Sequence, residues 1–428
     1  MTRGRVDTGR RRARERAALV GLAAGRTRRD DAERSIEELA GLARAAGADV
    51  VLRVLQERAR PEPATFLGSG KVAALGAACD EVGVDLVVFD NELSPAQLRN
   101  LEQAIGRRVI DRTQLILDIF AKRARTREGK LQVELAQLEY LLPRLVGFGT
   151  MLSRLGGGIG TRGPGETKLE TDRRRLRQRI ASLSHQLDEV GRRRGQLRER
   201  RQRGWLPAVS LVGYTNAGKT TLFNRLTREH AVTSDALFVT LDPLVRQARL
   251  AEGQAALLSD TVGFIDRLPH TLVAAFHATL EEVGEADLLL HVVDASSEDR
   301  DRHMRAVREV LAEVGATDVP TQLVFNKCDL VAPDEEARLL RAHPGAVAVS
   351  ALGDEGCDVL RSAIAGRLGL DLRRVVLEFD RRDHGDRARM AHVVRLGRIV
   401  GQQARGDRVA IEVDLPRRFL AQLTASGG

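Results

Sequence analysis

Aromatic residues are scarce, at 3% of the 428 residues, with one Trp, two Tyr and eleven Phe. Proteins that read single-stranded nucleic acid by stacking its bases need aromatic platforms, so the composition argues against that mode. Cysteine is scarcer still. Cys79, Cys328 and Cys357 form no C-x-x-C pair, so neither a zinc site nor a disulfide framework is expected, and a reducing cytoplasm fits. No apolar stretch approaches the roughly 18 to 20 residues of a spanning helix, and the first residues carry no apolar signal core. The expectation is a cytoplasmic protein without a membrane span.

Charge is plentiful. Charged residues make up 30% of the chain and the net charge is +9, with Arg supplying most of the cations. That balance suits a polyanionic partner met through its phosphates, and no DNA specificity is expected. The length allows two to four domains. Residues 1–30, with Arg10, Arg11, Arg12, Arg14 and Arg16, read as a basic disordered tail.

From 31 to 110 helical and strand patterns alternate. Helices are expected over Ser35–Ala46, Lys71–Val82 and from Ser94-Pro95 to Ile105, with strands at Val50–Gln56, Asp85–Phe89 and Arg108–Ile110, a small parallel α/β domain. Residues 111–204 change period. Leu131, Leu135, Leu138 and Leu142, and then Leu169, Leu176, Ile180, Leu183, Leu187, Val190 and Leu197, predict two long helices folded into an antiparallel hairpin. The second would run roughly 50 Å at 1.5 Å per residue. Its polar faces carry arginines from Arg173 to Arg201, a one-signed run suited to RNA. Between the helices, Gly156–Thr167 (GGGIGTRGPGET) must be a loop at the tip, with Arg162 its one basic residue.

Residues 205–370 hold the chemistry. Gly213, Gly218, Lys219 and Thr220 spell G-x-x-x-x-G-K-[ST], after the apolar run Val209–Val212 and before a helical pattern. In such a loop the backbone amides from Gly213 through Tyr214, Thr215, Asn216, Ala217 and Gly218 into Thr221 cradle phosphates, Lys219 reaches the β- and γ-phosphates, and Thr220 ligates Mg²⁺. Apolar strands recur at Ala255–Leu258, Leu288–Val293, Gln322–Phe325 and Ala346–Val349, predicting a doubly wound parallel sheet. Asp260 to Gly263 reads D-x-x-G, a carboxylate for Mg²⁺ and an amide for the γ-phosphate; Thr240 is placed to close over the metal. Asn326, Lys327 and Asp329 form NKCD. A carboxylate there accepts both guanine N1–H and the exocyclic amine, donors that adenine lacks, a discrimination on the order of 10⁴-fold. The ligand is therefore GTP, with Ser350, Ala351 and Leu352 as the loop beside the base. Residues 371–428 read as a small C-terminal α/β domain.

The chain resembles the HflX family of ribosome-associated P-loop GTPases in TFLGSGKV, VVFDNELSPAQLRNLE, RTREGKLQVELAQLEYLLPRL, GGGIGTRGPGETKLETDRR and GYTNAGKTTLFNRLT. The resemblance implies binding to the large (50S) ribosomal subunit and its rRNA through the N-terminal domain and hairpin, and splitting or rescue of stalled ribosomes under stress. Phe264 follows D-x-x-G where many GTPases place a water-orienting Gln, so hydrolysis by the chain alone should be slow and stimulated by ribosomes. Asn216 resembles the residue that coordinates K⁺ in related GTPases. Leu244 and Val245 depart from the family's DPTTR. A monomer is expected. Two other readings stay open: a GTPase of an RNA-modification complex, and an RNA-binding scaffold with GTP as a passive ligand.

Overall fold

The computed structural model describes residues 14–25, 27–147, 164–202, 206–229, 237–250, 254–266 and 283–420. The chain divides into two compact units, Met1–Leu197 with Ser234–Asp242 and Arg267–Ala278, and Arg198–Thr233 with Pro243–Asp266 and Thr279–Gly428.

In the first unit β1 (Arg16–Ala24), β2 (Asp49–Arg58), β3 (Leu86–Phe89) and β4 (Arg108–Asp111) form an all-parallel sheet in the order β2-β1-β3-β4. Helices α1 (Arg29–Ala46), α2 (Ser69–Glu81) and α3 (Pro95–Ile105) connect them. Ser94 starts α3 with a reciprocal cap, its hydroxyl accepting from Gln97 N and Gln97 Oε1 accepting from Ser94 N. The sheet corrects the expected disordered tail over residues 1–30. Residues 16–24 form an inner strand, buried from Ala17 to Ala23. A parallel strand covered on both faces is a continuous apolar run without alternation. RAALVGLAA, built largely of alanine beside an arginine tract, is such a run in disguise. Arg10, Arg11 and Arg12 lie outside the described residues.

The first arm of the expected hairpin is also corrected. Two helices, α4 (Arg112–Arg123) and α5 (Arg127–Leu141), replace one long helix. Thr126 accepts from Gly129 N at 3.0 Å and starts α5 afresh. α4 buries Leu115, Ile116, Leu117, Ile119 and Phe120 and is part of the α/β domain, whose boundary falls near 124 rather than 110. The second arm, α6 (Pro164–Gln202), has 39 residues. Leu131 and Leu135 of α5 pack on Leu183 of α6, flanked by Leu138, Ile180 and Leu187. Arg179 pairs with both oxygens of Glu134, at 2.7 and 2.9 Å, while Arg174, Arg175, Arg177 and Arg192 are exposed. Gly156–Gly163, with Arg162, lies outside the described residues, as do the side chains of Leu169, Leu197 and the arginines from Arg193 onward.

Residues 237–242 belong to this unit as well. Phe238 meets Phe120 edge-on with ring centroids 4.8 Å apart. The Asp242 carboxylate accepts from the backbone N–H of Arg125 at 2.8 Å and Thr126 at 3.0 Å and from the Thr126 hydroxyl. An acid at a helix start satisfies amides that have no partner within the helix.

The second unit contains β5 (Ala208–Gly213), α7 (Lys219–Thr227), β6 (Leu244–Arg249), β7 (Ala255–Asp260), β8 (Leu288–Asp294), α8 (Arg300–Glu313), β9 (Thr321–Asn326), α9 (Pro333–Ala342), β10 (Val347–Ala348) and α10 (Cys357–Arg367). Six strands lie in the order β10-β9-β8-β5-β7-β6. All neighbours are parallel except β6, which runs antiparallel to β7. The doubly wound parallel sheet is as expected, and β6 adds an antiparallel edge strand that the sequence pattern does not mark. Leu244 and Val245 open it, and Leu244 packs against the core, which accounts for an apolar residue there. The C-terminal part is β11 (Leu372–Asp380), α11 (His384–Leu396), β12 (Arg398–Arg405) and β13 (Arg408–Pro416), an antiparallel sheet in the order β11-β13-β12 around Phe379, Val393, Val409, Ile411 and Val413. No described helix is long and apolar enough to cross a membrane.

Candidate nucleotide site

The predicted residues of the second unit follow the carboxyl ends of β5, β7, β9 and β10, the end of the strands where ligands of open α/β sheets bind. β5 ends at Gly213, and the loop Tyr214–Gly218 leads into α7. A Cβ on Gly218, at φ +86°, would stand 2.2 Å from Asn326 Nδ2, so only glycine fits this turn. Lys219 is buried, and its Nζ donates to the carbonyls of Gly213 at 3.0 Å and Tyr214 at 2.9 Å. Burial pushes its ammonium down to about 8, against the opposing pull of Asp260. Thr220 Oγ1 donates to Asp260 Oδ2 at 2.8 Å, which brings two of the three expected Mg²⁺ residues together. Thr221 follows in the first turn of α7.

The D-x-x-G segment lies against the loop. Phe264 N donates to Gly213 O at 3.0 Å, and Thr215 N donates to Phe264 O at 2.7 Å. A Cβ on Gly263 would come within 2.9 Å of Thr215 Cγ2, so the approach depends on glycine. The Phe264 side chain is fully buried. Tyr214 stacks on His303 with centroids 3.9 Å apart, and its hydroxyl accepts from Asp266 N at 2.8 Å.

Asn326 joins the loop to the other end of the site. Its Nδ2 donates to Ala217 O at 2.9 Å, and its Oδ1 accepts from Ala351 N at 3.1 Å. Lys327 Nζ pairs with Asp294 Oδ2 at 2.6 Å. Asp329 is exposed, with Oδ1 accepting from the Ser350 hydroxyl at 2.6 Å. The side chain of Leu352 is exposed. The residues fit GTP and Mg²⁺ on these grounds: a cradle that a Cβ would fill at Gly218, and a hydroxyl and a carboxylate in contact, the hard oxygen donors that Mg²⁺ takes.

Three protein families match successive stretches: "GTP-binding GTPase N-terminal" over residues 33–121, "GTP-binding GTPase Middle Region" over 123–201 and "50S ribosome-binding GTPase" over 208–327. GTPase HflX of Lacrimispora saccharolytica is 44% identical over 413 residues, 96% of this chain and 95% of the relative. The chain belongs to the HflX family of GTPases. GTPase HflX of Alkalihalophilus pseudofirmus is 53% identical over 315 residues, 74% of each chain, and that of Escherichia coli K12 is 49% identical over 336 residues, 78% of this chain and 79% of the relative.

In this HflX family member the expected site residues are divided between the two units. Thr240 belongs to the first unit, with Phe238 and Asp242, whereas the other site residues belong to the second. Sequence reasoning missed two second-unit residues. Asp294 ends β8 and holds Lys327; a carboxylate at a strand end was the available signal. Arg225 of α7 reaches the carbonyls of Ala351 and Leu352, and nothing in the sequence separates it from the many other arginines.

Proposed function

We propose that this HflX family GTPase is a switch that hydrolyses GTP to GDP and phosphate, binds the large ribosomal subunit and its rRNA through the arginine faces of α6, and splits or rescues stalled ribosomes under stress. The observation that carries the nucleotide reading is Asn326. By holding Ala217 O and Ala351 N together, it makes one site from the phosphate loop and the base loop. The family described as 50S ribosome-binding GTPase, matched over 208–327, supports the partner, and the exposed arginines of α6 supply the charge that rRNA phosphates need.

In this reading the amides of Gly213 to Thr221 and the Lys219 ammonium hold the phosphates, and Gly263 presents its N–H to the γ-phosphate. Thr220, Asp260 and Thr240 would hold Mg²⁺, which supplies positive charge to the phosphoryl oxygens. Asn216, whose φ of +60° turns the loop, would hold K⁺ as a further charge. Asp329 reads guanine. A buried phenyl ring at Phe264 has no donor or acceptor for the attacking water, so the chain alone hydrolyses GTP slowly and the ribosome provides what is missing.

Steady-state GTP hydrolysis with and without isolated large subunits, in potassium and in sodium, tests this. Stimulation on the order of 10²-fold or more is expected, toward the range seen when a GTPase gains a missing group from a partner. A rate that subunits leave unchanged, with GTP binding intact, would favour the scaffold reading. Equal rates in the two salts would remove K⁺ from Asn216.

The buried Lys219 adds a pH signature. Phosphates bind the protonated amine, so nucleotide affinity should be flat below about pH 8. Above it, binding must take up a proton, and affinity should fall by up to about tenfold per pH unit. Titration of a fluorescent GDP between pH 7 and 9 reads this directly, and a flat profile would mean that the Lys219 amine stays protonated across that range.

A further inference from the structure

We propose that Arg225 is a positioning residue for guanine recognition, fixing the base loop Ser350–Leu352 to the helix that carries Lys219 and Thr220. The inference rests on reading that loop as the one beside the base.

One guanidinium makes three contacts with one loop. Arg225 Nε donates to Ala351 O at 3.4 Å, Nη2 donates to Leu352 O, and Nη1 pairs with Asp354 Oδ1 at 3.3 Å. Only arginine among the side chains presents several donors in a rigid plane. In a trans peptide the C=O and the following N–H point in opposite directions. Holding the carbonyls of Ala351 and Leu352 therefore sets the direction of the amides of Leu352 and Gly353.

The loop needs this anchor. On the side of β9 the ties go to its first two residues, Ser350 Oγ to Asp329 and Ala351 N to Asn326 Oδ1 at 3.1 Å, while Ser350 N closes the loop on itself by donating to Glu355 O at 3.2 Å. Beyond them Leu352 is 76% exposed and the Asp354 side chain 87% exposed, and Arg225 is what reaches both. The contacts close a ring that runs from α7 through Arg225 to the base loop, on to Asn326, and through Ala217 back to the start of α7. A carbonyl-held loop with a charged donor at its centre loses its preferred geometry when the donor is removed, and the guanine contact suffers while the phosphate contact does not.

The test compares a ligand with a base and one without, on the full chain. In Arg225→Met, which keeps the apolar stem, the dissociation rate of fluorescent GDP should rise about tenfold while the affinity for magnesium tripolyphosphate stays unchanged. Arg225→Lys should recover little of the loss, because one ammonium cannot span two carbonyls and a carboxylate. Asp354→Asn should raise the rate by about twofold to threefold. A GDP dissociation rate within twofold of the parent in Arg225→Met overturns the proposal. So does an equal loss for GDP and tripolyphosphate, which would place Arg225 in the support of the whole site. If the Met variant does not fold, Arg225→Lys carries the same comparison. Asp329→Asn serves as the control: a variant that keeps its guanine preference sinks the base-loop reading itself, whereas a normal response there with unmoved GDP dissociation in Arg225→Met sinks only the role of Arg225.

Discussion

Replacing Asp329 by Asn is expected to lower GTP affinity by about 10³- to 10⁴-fold and to make xanthosine triphosphate the better ligand. One oxygen of the Asp329 carboxylate is held by the Ser350 hydroxyl at 2.6 Å, which fixes the group's orientation. A carboxylate in that place offers acceptors only, matched to the N1–H and amine of guanine. An amide turns one acceptor into a donor facing another donor, and both groups, covered by the base, then lack partners. Xanthine replaces the amine with a carbonyl and restores the match. Competition between the two triphosphates for Asp329→Asn, read by equilibrium binding, decides it. Unchanged GTP affinity would mean that Asp329 is not the base reader.

The second large effect is expected far from the nucleotide. Arg112, at the start of α4, is buried to 4% side-chain exposure between Asp90, whose Oδ1 lies at 2.8 Å, and Glu38. Asp90 also accepts from the Ser35 hydroxyl at 2.6 Å. Burial by itself disfavours the Arg112 charge, but the carboxylates of Glu38 and Asp90 outweigh it and hold the guanidinium above its ordinary value. Removing one partner of a buried network strands the others, at a cost of about 3 to 5 kcal/mol. Arg112→Met should therefore lower the melting transition of the first unit by roughly 6 to 20 °C. The second unit has its own core around Val209, Leu211, Leu258 and Leu290, so GDP binding should persist. A melting curve that does not move would mean the ion network is stabilised by something other than its cation.

Arg112 also illustrates where sequence reading stops. Its partners lie 22 and 74 positions away, and nothing local marks it as different from the solvated arginines of α6. The same holds for β1, whose alanine-rich run resembles a linker until β2 and β3 pair on either side of it. The break between α4 and α5 has neither Gly nor Pro. Thr126 and Gly129 form a cap that could be read in the text, yet Asp242, 116 residues on, completes it. By contrast, the strands around the phosphate loop are legible because a parallel strand covered on both faces is mostly apolar, as in Val209–Val212 and Leu288–Val293, and the motifs that follow show where such strands end.

The phosphate-loop motif, the NKCD text of a GTPase and the basic character of α6 are legible in the residues alone. Each of these is carried by residue types within one short stretch of the chain. Folding was needed to make β1 an inner strand, to run β6 against β7, to bring Asp242 onto the Thr126 cap of α5 and to let Arg225 hold a loop 127 residues away. Those outcomes are set by which distant partner satisfies a buried backbone group or a charge. That competition is among all surfaces of the folded chain and leaves no mark in any one segment.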